Sequence, residues 1–418
     1  MTAYKKIKKC RICKKKNLKL VVDLKGQYIQ GSFIKKNFPS TYKKKIPLKL
    51  VLCNNCSLLQ ANYSVSPKLL YKNYWYSSGI NHTMRNHLKI LSKKSLNLLK
   101  ISKISHKKIN ILDIGCNDGT LLKNFSNKFN KIGIDPSQIS NKIKDKNIKI
   151  INDFFPSKKL LKISKKIKFN LITSIAMFYD LEDPVNFVKN IKIILSKNGI
   201  WIFELSYLLE MLRKNSYDTI CHEHLEYYSL SVLTSLLKTC NLKIFKIELN
   251  QINGGSIRCY VTHVDCNIYN NKKNFSKINL FLKKEKDYKI NTLKPYKDFF
   301  KRIIKIRDEL NILLKKLKKN KKIVHIYGAS TKGNTILQWS KIDKNLIKFA
   351  AERNKEKWNA ETIGSKIKII SEKKSKGMNP DYFLVLPWHF REEFLIREKK
   401  FLNSGGKMIF PLPKLKIY

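Results

Sequence analysis

The chain has 418 residues, 43% hydrophobic and 28% charged, which is enough apolar material for two or three domains and excludes a chain disordered throughout. No run of 18 apolar residues occurs, so no membrane-spanning helix is expected. The basic start MTAYKKIKKCRICKKKN lacks the apolar core of a secretory signal, so a cytoplasmic protein is the expectation. The formal charge is +56, but only nine of the 86 basic residues are arginine. Lysines spread along the whole chain without the arginine clusters that read phosphates and bases. They read as solvated faces whose field attracts acidic small molecules, and no specific nucleic-acid partner is expected.

Four of the nine cysteines form two pairs, Cys10-x-x-Cys13 and Cys53-x-x-Cys56. Two such knuckles supply four thiolates to one tetrahedral zinc, a closed and structural site. The competing reading is four reduced or redox-active thiols. The intervening VVDLKGQYIQGSF reads as short strands and turns. A segment of roughly 60 residues builds little core, so a metal would hold it together.

Met84, Leu88, Leu96, Leu99 and Ile101 then suggest a helix. Ile109-Asn-Ile-Leu-Asp113-Ile-Gly115-Cys-Asn117-Asp-Gly119-Thr-Leu-Leu reads as strand, tight loop and helix, with glycines that let a ligand approach the backbone. It is not the GxGxxG of dinucleotide binders. The next strand closes on Asp135-Pro136, about 20 residues after the glycine loop, where a carboxylate meets a ribose diol. Ile148 to Phe155 supplies Asp153 for an adenine amino group and Phe154 to pack on the ring. Strands at Phe169–Asp180 and Gly199–Leu205 flank a helix at Val185–Leu195. The βαβαβαβ order predicts a doubly wound sheet with its site at the carboxyl ends of the strands. Three ligand features in register point to S-adenosylmethionine (SAM).

The next segment, Tyr217-Asp-Thr-Ile-Cys221-His222-Glu223-His224-Leu-Glu226-Tyr227-Tyr228, is polar and unlike a core. Its histidines are two apart, so the HExxH zinc-protease pattern is absent. An acid–base site fits better: an imidazole takes a proton near neutral pH while a carboxylate orients its other nitrogen. A buried structural hydrogen-bond network is the competing reading. Asn253-Gly254-Gly255-Ser256-Ile-Arg258 reads as a bend entering a strand that closes the sheet near residue 263, or simply as a hairpin turn.

The last third starts over. After a Lys- and Leu-rich stretch with helical spacing at Phe299–Leu317, Lys322 to Thr335 again reads as strand, glycine loop and helix. Ser330, Lys332 and Asn334 lie in it, and amides near Gly328 and Gly333 suit a phosphate. The GxxxxGK[ST] pattern is absent, so it is not a Walker A loop. Ala350–Asn354 and Tyr382 to Arg391, with His389, complete a second βαβ-type domain. Two such sheets facing each other make a cleft for cofactor and substrate.

Taken in order, the CxxC pairs, LDIGCNDGTLL, GIDPS, CHEHLEYYSL, NGGSIR, YGASTKGNT and PWHFR resemble the SAM-dependent sugar C-methyltransferases, over nearly the full chain. The resemblance implies an α/β protein with a small zinc-binding module (1–72), a central class I, Rossmann-like SAM domain (73–267) and a second Rossmann-like α/β domain (268–418) that helps hold a nucleotide sugar. It implies structural Zn²⁺ on Cys10, Cys13, Cys53 and Cys56. Asp113, Gly115 and Asn117 fall in the SAM loop, Asp135 and Pro136 at the ribose, Asp153 and Phe154 at the adenine. His224 becomes the general base, with Glu223 and His222 as neighbours. Tyr74-Trp-Tyr76-Ser-Ser78 looks like the strip beside the cofactor. Cys221 stands where some relatives carry Tyr, leaving Tyr227 and Tyr76 as the available phenols. Tyr227, Asn253, Gly255, Ser256, Arg258, Ser330, Lys332, Asn334, His389 and Arg391 are the implied substrate contacts. The implied reaction methylates a carbon beside the ketone of a nucleotide-linked keto-deoxysugar, with no obligate protein partner. Transfer to a sugar oxygen or nitrogen, methylation of nucleic acid and non-catalytic nucleotide-sugar binding are the alternatives.

Overall fold

A computed structural model describes residues 3–35, 44–71, 77–101 and 109–418. Its central sheet has seven strands, in the order Leu242–Asn250, Ser256–His263, Leu195–Ser206, Phe169–Ile175, Asn110–Ile114, Asn130–Ile134 and Ile148–Ile151. The last five are parallel to one another. The first two form an antiparallel hairpin against Leu195–Ser206. The parallel strands are apolar on both faces, because helices cover both. Ile111, Leu171, Ile200 and Ile202 pack with Leu88 and Leu91 of helix His82–Ile101. Leu112, Ile172, Trp201 and Phe203 share the other core with Phe187, Val188 and Ile191 of helix Pro184–Ile194. That second helix begins where the sequence dictates: Asp183 accepts the Asn186 amide as N-cap and Pro184 fills the first helical position. The strand order reverses beside Asn110–Ile114, which opens a crevice at the carboxyl ends of the strands.

One expectation fails locally. The glycine loop leads not into a long helix but into a single 3₁₀ turn, Leu122–Asn124. Leu121, Leu122 and Phe125 are buried together within five residues, and a Ser-Asn pair follows at once, so the chain has anchored before a second helical turn forms.

The C-terminal sheet has eight strands. Lys407–Phe410, Tyr382–Val385, Val324–Tyr327, Phe349–Glu352 and Lys368–Ser371 are parallel neighbours. One edge is finished by Phe33–Ile34, which comes from the N-terminal module and pairs with Glu361–Thr362. The N-terminal four-stranded sheet is finished in turn by Glu226–Tyr227, which pairs with Leu59–Ala61. Two of the larger sheets thus end on strands lent by another part of the chain.

Cys10, Cys13, Cys53 and Cys56 meet at one point. Each CxxC turns back on itself, Lys14 and Ser57 adopting φ near +60° and donating their amides to the carbonyls of Cys10 and Cys53. The sulfurs of Cys10 and Cys56 are 3.6 Å apart, those of Cys13 and Cys53 3.5 Å, and all four lie within 4.8 Å of one another. Tetrahedral Zn–S bonds of about 2.3 Å need sulfurs roughly 3.8 Å apart. The donor set fits zinc, and four thiolates leave no open position on it. Among the described residues no helix is long and apolar enough to cross a membrane.

Metal analysis of the purified protein should find about one zinc per chain. Cys53→Ser should lose it and lower the melting temperature, because the metal replaces core that this small module lacks. A folded, native preparation without zinc would contradict the assignment.

Candidate active site

A cleft of about 650 Å³ opens between the carboxyl ends of the central strands and those of the C-terminal sheet. That volume suits a small ligand pair. Asp113, Gly115, Asn117, Asp135, Pro136, Asp153 and Phe154 all line it, at the carboxyl ends of three adjacent strands and on the loops that follow them.

These loops are held rigid by their own polar groups. Asp113 is buried and accepts a 2.6 Å hydrogen bond from Thr173; burial still pushes its carboxyl up to about 7. Gly115 has φ +74°, which favours glycine, and a Cβ there would be crowded against Met177 Cγ at 3.0 Å, while its backbone lines the cleft. Asp135 accepts the amides of Asn117 (2.9 Å) and Ser137 (2.8 Å). The Ser137 hydroxyl donates to Asp135 as well (2.5 Å), so of the roughly four acceptor sites of a carboxylate about one stays open to a ligand hydroxyl. Phe154 keeps 41% of its surface exposed at the cleft edge, its ring edge-on to Tyr71 at 6.3 Å. A carboxylate, an approachable backbone and an open aromatic face fit a nucleoside cofactor. Asn117 and Asp118 also tie the segment 77–79 over the loop, through the amides of Ser78 (2.9 Å) and Gly79 (2.7 Å). Tyr76, expected beside the cofactor, lies outside the described residues.

The segment 217–228 forms the second wall. His224 Nδ1 is 2.6 Å from the Thr219 carbonyl. A carbonyl only accepts, so Nδ1 carries the proton and Nε2 keeps its lone pair. This corrects the expected role of Glu223: a backbone carbonyl, not the neighbouring carboxylate, orients the imidazole. The ring lies edge-on to Tyr179 at 4.4 Å. Burial, and then the nearby Lys332 ammonium, pushes its pKa down to about 3, so it is neutral at physiological pH. Glu223 lines the same cleft; its Oε1 is buried without a partner, and burial pushes the carboxyl up to about 7. Gly31 makes room for it, since a Cβ there would collide with Glu223 Oε1.

Asp180 is a cleft residue that sequence reasoning passed over. Its Oδ1 is buried without a partner, and burial together with Glu223 and Glu226 holds its carboxyl well above the usual range. Its place in the loop after the central strand Phe169–Ile175 was the available signal. His222 does not face the cleft. Its Nδ1 is 2.8 Å from Gln30 Oε1 and its Nε2 3.1 Å from the Ile46 carbonyl, so it joins this segment to the N-terminal module.

The third wall is C-terminal. Ser330, Lys332 and His389 line it, as does Asn253 from the central domain. Ser330 Oγ accepts the Gly333 amide and caps helix Thr331–Trp339. Lys332 Nζ points to the Asn253 carbonyl at 3.4 Å. His389 Nδ1 is buried without a partner, its pKa pushed down to about 3 by burial and Lys332.

Six other expected substrate contacts do not line the cleft. Gly255 belongs to the hairpin turn that joins Leu242–Asn250 to Ser256–His263, with Gly254 at φ +87° and Gly255 at φ +133°, and Ser256 opens the second strand opposite Asn250. Arg258 is buried in an ion network with Glu204 (2.7 Å) and Glu248 (3.2 Å). Tyr227 is buried in the strand that pairs with Leu59. Asn334 donates to the Gln30 carbonyl at 2.8 Å. Arg391 lies at the surface on Glu392 and Tyr418. Tyr327, Arg353, Lys357 and Arg397 line the wall in their place. Tyr327 ends one parallel strand and Arg353 follows another, which is the pattern that exposes a residue at such a crevice.

Family models match three consecutive parts of the chain: a zinc binding domain over residues 10–71, a methyltransferase domain over 81–247 and a C-methyltransferase C-terminal domain over 251–413. Among curated relatives, C-methyltransferase NovU of Streptomyces niveus is 24% identical over 414 residues, covering 98% of this chain and 97% of that protein. Among solved structures, a SAM-dependent methyltransferase from Clostridium acetobutylicum aligns at 16% identity over 41% of this chain and 92% of its own, with a TM-score of 0.31. The plantazolicin methyltransferase BpumL in complex with SAH aligns at 15% identity over 44% and 86%, with a TM-score of 0.35.

Asp135→Ala should weaken SAM binding several-fold or more in calorimetry, because charge-assisted hydrogen bonds are lost; unchanged affinity would refute the ribose assignment. A second expectation concerns stability. His222, His224 and His389 stay neutral when folded, with pKa values of about 4, 3 and 3, against 6.5 for a free imidazole. Below pH 6.5 the unfolded chain binds their protons first, so stability falls with pH, by about 1–2 kcal/mol per imidazole between pH 6.5 and 5. Urea unfolding at the two pH values measures it, and His224→Gln should flatten the dependence.

Proposed function

With the chain a member of the three-domain SAM-dependent C-methyltransferases, we propose that its acceptor is a nucleotide-linked keto-deoxysugar, methylated on the carbon next to the ketone. When bound, SAM supplies an electrophilic methyl on its sulfonium. The observation that carries the proposal is the fixed tautomer of His224: Nδ1–H on the Thr219 carbonyl and a free Nε2 in a cleft that also takes the cofactor. The ketone acidifies the C–H beside it, and the negative charge that develops on its oxygen would favour the imidazolium and raise the basicity of His224 above its resting value. His224 Nε2 takes that proton. Zinc bound by four thiolates has no position for the ketone oxygen, so its part is structural.

Glu223 supports a second reading of the base. Its carboxyl, pushed up to about 7 with Oε1 unpartnered, titrates where a general base works best. On that reading Glu223 removes the proton and His224 holds the acceptor. The third wall supports the nucleotide end: Arg353 and the capped start of helix Thr331–Trp339 offer charge and amides to a diphosphate. Nine cysteines without a disulfide favour a reducing compartment, and we place the enzyme in the cytoplasm.

Solvent deuterium exchange separates the two bases. With a keto-sugar nucleotide and no SAM, the wild type should exchange the C–H next to the ketone. His224→Asn should lose exchange and methylation by about 10²–10⁴-fold while still binding SAM. If His224→Asn exchanges at the wild-type rate and Glu223→Gln does not, Glu223 is the base. Its rate would then rise with pH through about 7, as the carboxyl ionises.

A further inference from the structure

Removing a proton beside a ketone leaves negative charge on the ketone oxygen, and that charge needs a donor in the cleft. The zinc thiolates cannot supply it. Of the groups around His224, Glu223 and Asp180 are acidic, and His389 is a neutral imidazole. Lys332 is the cation at this end of the cleft, beside Cys221, His224, Asn253 and His389.

Its placement is built. Lys332 lies in the first turn of helix Thr331–Trp339, which Ser330 caps, so the positive end of the helix dipole points the same way. That helix is clamped from behind: Asn334 donates to the Gln30 carbonyl at 2.8 Å and Thr335 to the Ile220 carbonyl at 2.9 Å. Nζ reaches the Asn253 carbonyl at 3.4 Å, a long contact that leaves an ammonium with donors to spare. Asp218 stands behind it as counter-charge, its Oδ2 accepting from Trp388 Nε1 at 3.0 Å and its Oδ1 buried without a hydrogen bond. The ammonium is close enough to His224 and His389 to help keep both imidazoles neutral. A cation that opposes protonation of His224 in the resting cleft becomes favourable once the oxygen between them is negative.

We infer that Lys332 is a catalytic residue, its ammonium donating a hydrogen bond to the ketone oxygen of the acceptor as that oxygen takes up negative charge. The inference rests on the keto-sugar reading. In the step, the C–H proton passes to His224 Nε2, the C–H electron pair closes a C=C bond, and the carbonyl π pair moves onto oxygen, where Lys332 holds it. When the C=C pair then forms the bond to the methyl, the oxygen pair returns to the C=O bond, the S–CH₃ bond would break with its pair left on sulfur as S-adenosylhomocysteine, and Lys332 keeps its proton. Lys332 is thus neither base nor nucleophile, and it is not a diphosphate anchor.

Two measurements test this, and the first needs no acceptor. In the resting enzyme, histidine NMR should show the His224 pKa rising in Lys332→Met and staying low in Lys332→Arg. An unchanged His224 titration in Lys332→Met would mean that the ammonium is not at this end of the cleft. The second uses a thymidine-diphosphate-linked 4-keto-6-deoxyglucose, or whichever keto-sugar nucleotide the wild type methylates. Lys332→Met should lower kcat by about 10²–10³-fold with KM changed only a few-fold, and Lys332→Arg should recover part of the loss. Calorimetric SAM affinity near wild type confirms that each variant is folded. A raised KM with kcat intact would make Lys332 an anchor and overturn the inference. So would borohydride reduction that joins the sugar covalently to Lys332, since that shows an imine. If the wild type methylates no keto-sugar, the substrate reading fails, and the NMR result still decides where the ammonium sits.

Discussion

Everything at the site depends on one buried stretch of backbone, residues 217–228, being gripped from three sides. From the C-terminal domain, Trp388 donates to Asp218 (3.0 Å) and Thr335 to the Ile220 carbonyl (2.9 Å). From the N-terminal module, Gln30 meets His222 (2.8 Å), and Arg11, within the first zinc knuckle, lies 3.5 Å from Glu226. From the central domain, the Tyr179 carbonyl takes the amides of Leu225 and Glu226. Arg11 also donates to Ala61 O and Ser64 Oγ, both at 2.8 Å, so the metal knuckle, its sheet and the His224 loop form one unit. Together these buried polar contacts hold the segment in one arrangement, although Asp218 Oδ1 and Glu223 Oε1 within it stay unpartnered. That gives the zinc a function without chemistry: it stiffens the part against which the segment carrying His224 is registered.

The same burial sets the electrostatics. Desolvation favours the neutral form of every group, and the groups split accordingly. His224 and His389 are driven down to about 3, while Asp113 and Glu223 are driven up to about 7. His224 and His389 are therefore uncharged in the resting cleft, and Asp113 and Glu223 titrate near neutrality, although the chain carries +56. Among the described residues Lys131 is the one lysine buried from solvent, and the others keep contact with it. The charge lies outside, where it attracts acidic ligands, and a single ammonium sits beside His224.

Much of this was legible in the sequence because it is local. A CxxC pair is a turn with two sulfurs wherever it folds, and Asp113 near the end of its strand and Asp135 and Asp153 just after theirs are placed by period and spacing at one crevice. What was not legible depends on long-range partners. Arg258 looked like a cleft residue after a glycine turn, but Glu204 and Glu248, 54 and 10 residues away, take it into the sheet. The orientation of His224 was assigned to Glu223 because a carboxylate beside an imidazole suggests it; the Thr219 carbonyl wins because the chain folds back on itself within five residues. His222 and Asn334 are polar residues in motif positions that serve as joints to Gln30. No pattern in a single chain distinguishes a joint from a site when both are buried and polar.

The central claim is that the methyl goes to carbon. Incubation with methyl-¹³C-labelled SAM and a panel of nucleotide-linked keto-deoxysugars, followed by NMR of the product, reads the bonded atom directly. The account predicts a labelled methyl on the sugar carbon next to the ketone, with coupling to that carbon and loss of its proton. A label on a sugar oxygen or nitrogen, with the C–H next to the ketone intact, would contradict it.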